Sequence, residues 1–266
     1  DNDTHLFRNG MLLEEKQITA EVCVHHLWFS DKDYDEKGTH IKWNPAVKTE
    51  KDRTGLWKAL LDDRIDVIAT DHAPHTIEEK KNVYTKAPSG GPLVQHAIPA
   101  ILEKVKEGVI SIEKAVEKMS HNPAKIFKIE KRGYIKEGYF ADLVLIDANK
   151  PWTVSKENIL YKCGWSPFEG TKFSSTITHT FVNGNLMYEN GVFNDTMNVK
   201  TGYYRLFDGK EYATLYLQNG AEVKMTMDAA QFDETISFTG NGSNESSFLA
   251  KTALLQEETA RLAIAS

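Results

Sequence analysis

A carboxylate and two histidines that could do chemistry stand close together in this chain. Asp71, His72 and His75 lie within residues 70–75, directly after an apolar run at residues 65–69. Such a β-branched run is typical of a buried parallel strand, which delivers polar groups to its C-terminal end. Barrels of the α/β type keep their catalytic residues at that end. The pattern predicts a catalytic loop, and a polar turn after a core strand is the alternative.

Pro74 limits how the chain continues after this predicted strand. Proline lacks a backbone N–H and disfavours a helical conformation in the residue before it, so no helix is expected to begin there. Asp71 and His75 should therefore share one tight loop and face a common pocket. This places the two candidate groups at the end of the strand at residues 65–70.

Several further segments, together with this loop, resemble the dihydroorotase family of cyclic amidohydrolases over about residues 6–195. They occur in the order found in that family. The segments are residues 18–27 (ITAEVCVHHL), 42–45 (KWNP), 87–90 (APSG), 121–125 (HNPAK) and 138–147 (GYFADLVLID). The resemblance implies an α/β fold in which residues 1–130 form the C-terminal part of a (β/α)8 amidohydrolase barrel. Residues 131–195 would then form a small β domain.

The same resemblance implies a reaction and roles for named residues. The family interconverts N-carbamoyl-L-aspartate and dihydroorotate in pyrimidine biosynthesis at a two-metal zinc site. The residue matching Asp71 binds one metal and carries a proton from the attacking water to the leaving nitrogen, so Asp71 is the expected catalytic base. Asn44 and His75 should hold the substrate's carboxylate and ring amide. The backbone around Ser89 and Gly90, in a glycine-containing loop that allows close approach, should complete the pocket.

The remaining metal ligands of the family have no counterpart in this sequence. Its His-x-His pair, its bridging lysine or aspartate and its two later histidines are expected upstream of residue 1. Glu21 is expected either at the metal ions or beside their ligands. A truncated chain of this kind should by itself neither hold two metal ions tightly nor turn over dihydroorotate.

The other histidines are expected to have structural roles. His25 and His26 follow a predicted strand at residues 18–24, where adjacent side chains of an extended chain point to opposite faces. One of them should therefore be packing or a pocket wall. A surface position is expected for His5, and hydrogen-bonded structural positions for the isolated His40, His96, His121 and His179.

Two alternatives remain open at this point. Another cyclic amidohydrolase, an allantoinase or hydantoinase, would use the same loop, although Asn44 and His75 favour dihydroorotase because its substrate carries an extra carboxylate. A non-catalytic amidohydrolase-like interaction module is the alternative outside the enzymes. Metal content discriminates between them, because a catalytic chain must hold metal ions and an interaction module need not.

Composition limits the classes of partner that this protein is expected to bind. The 266 residues carry a formal net charge of −6, and residues 78–81 (EEKK) are interpreted as a loop of mixed charge, so nucleic acid is not expected. The sequence contains no run of 18 apolar residues and no signal-peptide pattern, so association with a membrane is not expected either. Cys23 and Cys163 are expected as reduced thiols. We expect a cytoplasmic protein that binds a small-molecule substrate and could form a homo-oligomer.

Periodicity predicts the elements that position the loop. The spacing of Leu93, Ala97, Ile101 and Val105 predicts a helix over residues 92–108. Asn-Gly pairs at 183–184 and 190–191 predict hairpins. Residues 196–266 are expected to form an α+β tail, with a hairpin around residues 219–220 and a helix over 246–265, that weakly resembles the N-terminal region of thioredoxin-like periplasmic proteins. A joined reading frame and a genuine accessory domain both remain open for it.

Overall fold

A computed structural model describes residues 2–194 and two later strands, Gly202–Arg205 and Glu211–Thr214. The α-helices are α1 (Val24–Trp28), α2 (Tyr34–Lys37), α3 (Glu50–Leu61), α4 (Ile77–Lys80), α5 (Ala97–Lys106), α6 (Ile112–Val116) and α7 (Asn122–Ile126), and a π-helical turn spans Glu117–His121. The strands are β1 (Glu21–Cys23), β2 (Val67–Ala69), β3 (Leu143–Asp147), β4 (Trp152–Thr153), β5 (Lys172–Phe173), β6 (Thr176–Val182), β7 (Asn185–Glu189), β8 (Val192–Phe193), β9 (Gly202–Arg205) and β10 (Glu211–Thr214). Short 3-10 turns occupy Asn2–Leu6, Leu13–Glu15, Asp31–Asp33, Gly38–Ile41, Val94–His96 and Lys156–Asn158.

The two predicted barrel strands pair with each other in parallel. Val22 lies opposite Ile68, and Cys23 lies opposite Ala69. Val22 and Ile68 are buried, whereas Glu21 is exposed and Cys23 is half-buried. Because side chains alternate along a strand, Glu21 and Cys23 share the open face of this pair. The parallel pairing agrees with an α/β barrel element, and both strands are shorter than the predicted 18–24 and 65–70.

The prediction that His25 and His26 lie in extended chain is wrong. The strand ends at Cys23, and both histidines lie in the single helical turn of α1. His25 is fully buried in that turn, and His26 is half-buried. One of the pair is therefore packed into the core, as expected, but through a helix rather than through strand alternation.

Helices α3 and α5 both pack against α1, and their buried residues share one hydrophobic core with the buried residues of the strand pair. The Thr49 hydroxyl accepts a hydrogen bond from the Asp52 amide and begins α3 in a capping box. In the predicted stripe of the 92–108 region, Leu93, Ala97 and Ile101 are all buried, and α5 is shorter than predicted because a 3-10 turn precedes it. Members of the core include Val22, Leu27, Ile41, Trp43, Leu60, Ile68, Leu93, Ile101, Phe168 and Phe173.

An antiparallel sheet follows the helical part, with the strand order β3–β6–β7–β8. Both predicted hairpins are present. Asn183 and Gly184 have φ values of 52° and 79°, and Asn190 and Gly191 have values of 45° and 97°. Positive φ at both central residues is the requirement of the favoured hairpin turn, which asparagine and glycine meet.

The tail is described only in part. β9 and β10 pair in antiparallel fashion. The predicted hairpin around residues 219–220 and the predicted helix over 246–265 lie outside the described residues. Among the helices that are described, none combines the length and apolar character needed to cross a membrane.

Candidate active-site loops

The loop after β2 is held by main-chain contacts to residues 91–94. Ala73 donates its amide to the Gly91 carbonyl at 3.2 Å, and His72 forms a parallel bridge with Gly91. His72 Nδ1 accepts from the amides of Leu93 and Val94, at 3.0 and 3.3 Å. No helix begins until Ile77, as Pro74 predicts. His72 is therefore a support of this loop.

Asp71 lies exposed at the start of this loop, just beyond the C-terminal end of β2. Its φ of 47° is in the left-handed region, which aspartate tolerates better than most residues. Burial raises the pKa of Cys23 and the negative charge of Asp71 adds to this effect, whereas burial lowers the pKa of His26 and the Asp71 charge opposes that lowering. Asp71 therefore lies near the end of β1 as well as that of β2.

The structure brings two predicted substrate residues together. His75 Nε2 lies 3.1 Å from the Ser89 carbonyl oxygen, and the His75 carbonyl accepts from Trp165 Nε1 at 2.7 Å. Gly90 follows with a φ of 118°, and a Cβ atom there would lie 2.6 Å from the Ala73 carbonyl oxygen. Only glycine allows the two loops to approach this closely.

Asn44 reaches the same region through its own loop. The neighbouring Lys42 carbonyl accepts from the Gly90 amide at 2.9 Å. The Pro45 carbonyl lies 2.8 Å from His26 Nε2. In the same loop Trp43 is buried, whereas the Asn44 side chain is exposed. The loops at 42–45 and 87–91 are therefore joined, although no side-chain hydrogen bond or ion pair among the described residues links Asn44 directly with Asp71 or His75.

Lys80 connects these loops through its buried side chain, which the interpretation of residues 78–81 as a loop of mixed charge did not predict. The side chain is fully buried. Its Nζ donates to the carbonyls of Lys42, Pro88 and Gly90 at 3.3, 3.0 and 2.8 Å. Burial, with a smaller effect of the Lys42 charge, lowers the pKa of Lys80 to about 8. One ammonium group thus connects both candidate substrate loops.

A signal for this placement was present in the sequence. Thr76 and Glu79 have the spacing of a capping box, and the Thr76 hydroxyl accepts from the Glu79 amide at 3.3 Å. This box begins α4, which turns Lys80 inward. Recognising the capping box would have predicted a helix rather than a loop.

Side chains at the end of β1 are the only grouped metal donors in the part of the chain that the structure describes. Cys23, His25 and His26 offer ligand atoms that all lie within 4.8 Å of one another. Asp71 and Glu21 belong to no such group among the described residues. The described side chains therefore do not complete the two-metal centre that the resemblance implies.

Comparisons with known proteins give the family. The model of the amidohydrolase family matches residues 2–187. The dihydroorotase of Pyrococcus furiosus is 37% identical over 181 residues, which cover 67% of this chain and 42% of that protein. The dihydroorotase of Endomicrobium trichonymphae is 41% identical over 174 residues, which cover 65% of this chain and 41% of that protein.

A solved structure supports the same conclusion. The L-hydantoinase (dihydropyrimidinase) of Arthrobacter aurescens superposes with a TM-score of 0.63 at 28% identity, covering 68% of this chain and 41% of that one. The chain thus spans about two fifths of the length of these relatives. Amidohydrolases generally depend on metal ions. Since the family model covers more than half of the chain, the chain belongs to the amidohydrolase family, with the fold of part of its α/β barrel.

Proposed function

We propose that these loops belong to a dihydroorotase, which interconverts N-carbamoyl-L-aspartate and dihydroorotate. The observation that carries the proposal is the placement of Asp71 at the C-terminal end of a parallel strand pair. His75 lies in the same loop as Asp71 and contacts the Ser89 carbonyl of the neighbouring loop. Catalytic residues of α/β barrels lie at this end. Several dihydroorotases, 37–41% identical to this chain, support the choice of substrate.

The proposed chemistry of Asp71 is proton transfer. In the hydrolytic direction, water adds to the amide carbonyl carbon of dihydroorotate and the ring C–N bond breaks. The Asp71 carboxylate takes the proton from water and delivers it to the leaving nitrogen, and the reverse order of steps closes the ring. Its exposed position lets it reach a substrate above the strand ends.

The proposed role of the surrounding loops is to bind the substrate. His75 and Asn44 would hold the carboxylate and the ring amide, with the backbone of Ser89 and Gly90 closing the pocket. The His75 ring and the Ser89 carbonyl are already in contact. Gly90 carries no Cβ atom, which at its positive φ would meet Ala73, so the backbones of the two loops can approach closely.

A second candidate is hydantoin ring opening. The observation in its favour is the structural match to the L-hydantoinase of Arthrobacter aurescens. The same acid–base step would serve a hydantoin, which lacks the carboxylate that Asn44 and His75 are proposed to hold.

Asp71→Asn should lower turnover by roughly 10²–10⁴-fold, since an amide cannot carry the proton. The assay uses a chimera in which residues 2–194 of this chain follow the preceding part of the Pyrococcus furiosus dihydroorotase. Ring opening is followed by ultraviolet absorbance. Asp35→Asn, at an exposed position of α2, is the matched control and should retain activity. Near-normal activity of Asp71→Asn would contradict the assignment of the base. Faster turnover of hydantoin or allantoin than of dihydroorotate would favour the second candidate.

His75→Ala and Asn44→Ala should each weaken dihydroorotate binding by about 1–3 kcal/mol, because each leaves a polar or charged group of the bound substrate without one partner. Michaelis constants of the same chimera provide the measurement. His179→Ala, in the antiparallel sheet, is the control and should leave the Michaelis constant unchanged. Unchanged constants in both loop variants would show that these side chains do not hold the substrate.

A further inference from the structure

We propose that Cys23, His25 and His26 bind one divalent transition-metal ion of the zinc class. Their ligand atoms lie within 4.8 Å of one another at the end of β1. Zinc takes sulfur at about 2.3 Å and imidazole nitrogen at about 2.0–2.1 Å. Tetrahedral coordination at these lengths places the ligand atoms about 3.3–3.6 Å apart, so the side chains would have to rotate to draw them together by up to about 1.5 Å.

His25 is the member of the group that most needs a partner. The ring is fully buried and stacks on Trp43, with centroids 4.2 Å apart and planes 12° apart. Neither ring nitrogen has a hydrogen-bond partner among the described residues. A buried polar group left without a partner costs about 1–3 kcal/mol. A metal bond to one nitrogen would remove part of that cost.

His26 is already oriented from outside the group. Its Nε2 lies 2.8 Å from the Pro45 carbonyl oxygen. Donation from Nε2–H to this carbonyl leaves the lone pair on Nδ1, which is the form of imidazole that binds metal ions. Carbonyl partners of this kind fix the orientation of metal-binding histidines in proteins. The 42–45 loop would thus act as an outer support of the site.

Cys23 supplies the soft ligand, and the charges around it favour a cation. Burial raises the pKa of Cys23, and the negative charges of Asp71 and Glu21 add smaller effects in the same direction. The same negative charges attract a dication, which stabilises the thiolate outright. A thiolate with two imidazoles suits zinc, cobalt or copper and disfavours magnesium and calcium. The half-buried Cys23 and His26 provide access to the buried His25.

This site is separate from the proton-transfer role proposed for Asp71 and does not depend on it. Three protein ligands leave a fourth position, as in zinc sites that accept water or another ligand. The nearby Asp71 carboxylate contributes charge to the site in either case. Metal binding can be measured without any substrate, so its failure and the failure of the proposed function are distinguishable.

Cobalt titration of the metal-free 266-residue chain tests the proposal. We expect one equivalent of Co²⁺ to bind, with visible d–d bands and a thiolate-to-cobalt charge-transfer band in the near ultraviolet, and zinc to displace it. Cys23→Ser should abolish the charge-transfer band, and His26→Gln should weaken binding at least roughly 10-fold. Cys163→Ser, at the other half-buried free cysteine, is the matched control and should retain the full spectrum.

A measurement on the unaltered chain guards against variants that fail to fold. Zinc should slow alkylation of Cys23 but not of Cys163, as read by mass spectrometry of the peptides. The proposal is overturned if no cobalt binds at micromolar protein, if the charge-transfer band survives in folded Cys23→Ser, or if zinc protects both cysteines equally.

Discussion

Trp43→Ala is expected to lower the free energy of unfolding by about 3–5 kcal/mol, the usual range for removing a large buried aromatic residue. Trp43 is 1% exposed, stacks on His25 and lies near Phe29, with a centroid distance of 6.4 Å. A Cβ at Gly91 would lie only 2.8 Å from its ring, so the Trp43 ring fills the space beside that backbone. Removing it would open a cavity directly beneath the candidate substrate loops.

Urea unfolding followed by circular dichroism measures this change. Phe127→Ala is the control, because Phe127 is 60% exposed and a surface truncation should alter stability by no more than about 0.5 kcal/mol. A loss below about 1 kcal/mol for Trp43→Ala would mean that the surrounding residues collapse into the space. The Trp43 ring would then not be what holds the 42–45 loop in place.

Lys80→Met is expected to remove a pH-dependent contribution to stability. Burial lowers the pKa of Lys80 to about 8 from 10.5, so between these values the unfolded chain binds a proton that the folded chain does not. Stability linked to this group therefore rises as pH increases from about 8 to 10.5 and is lost as pH falls through 8. The full change amounts to roughly 3 kcal/mol.

The difference in unfolding free energy between the unaltered chain and Lys80→Met, measured from pH 7 to 10.5, isolates this contribution from other titrating groups. The unaltered chain should gain stability relative to the variant as pH rises. Lys81→Met is the matched control. Lys81 is the next residue in the chain and is exposed, so its replacement should leave the pH dependence of stability unchanged. A constant difference across this range would show that the three carbonyls keep Lys80 protonated in the folded chain.

The local parts of this fold could be predicted, because their signals lie within a few residues. The hairpins at 183–184 and 190–191 follow from asparagine and glycine, which adopt positive φ easily. The strand at residues 65–70 and the loop after it follow from a β-branched run and Pro74. The placement of Asp71 at a strand end needed no more than this.

Other parts depend on distant contacts that no local pattern carries. Lys80 is buried because its ammonium group meets the Lys42 carbonyl, 38 residues away. His25 is buried because Trp43 stacks on it from another loop. A short helix beginning directly after β1 gave little periodicity to detect, since it spans five residues. The capping box at Thr76 and Glu79 could have shown the helix that carries Lys80, but the burial of Lys80 and of His25 is a tertiary effect that composition and spacing could not have shown.

The candidate loops are joined to one another largely through backbone carbonyls and amides. Gly90 donates to Lys42, and Ala73 donates to Gly91. The exposed side chains of Asn44 and Asp71 do not take part in these backbone hydrogen bonds. Substitution of Asn44 should therefore change which ring is accepted without disrupting these backbone contacts, whereas replacing Gly90 would disturb the contacts themselves. An engineer seeking a new ring specificity would vary Asn44 and leave both Gly90 and Asp71, the proposed base, unchanged.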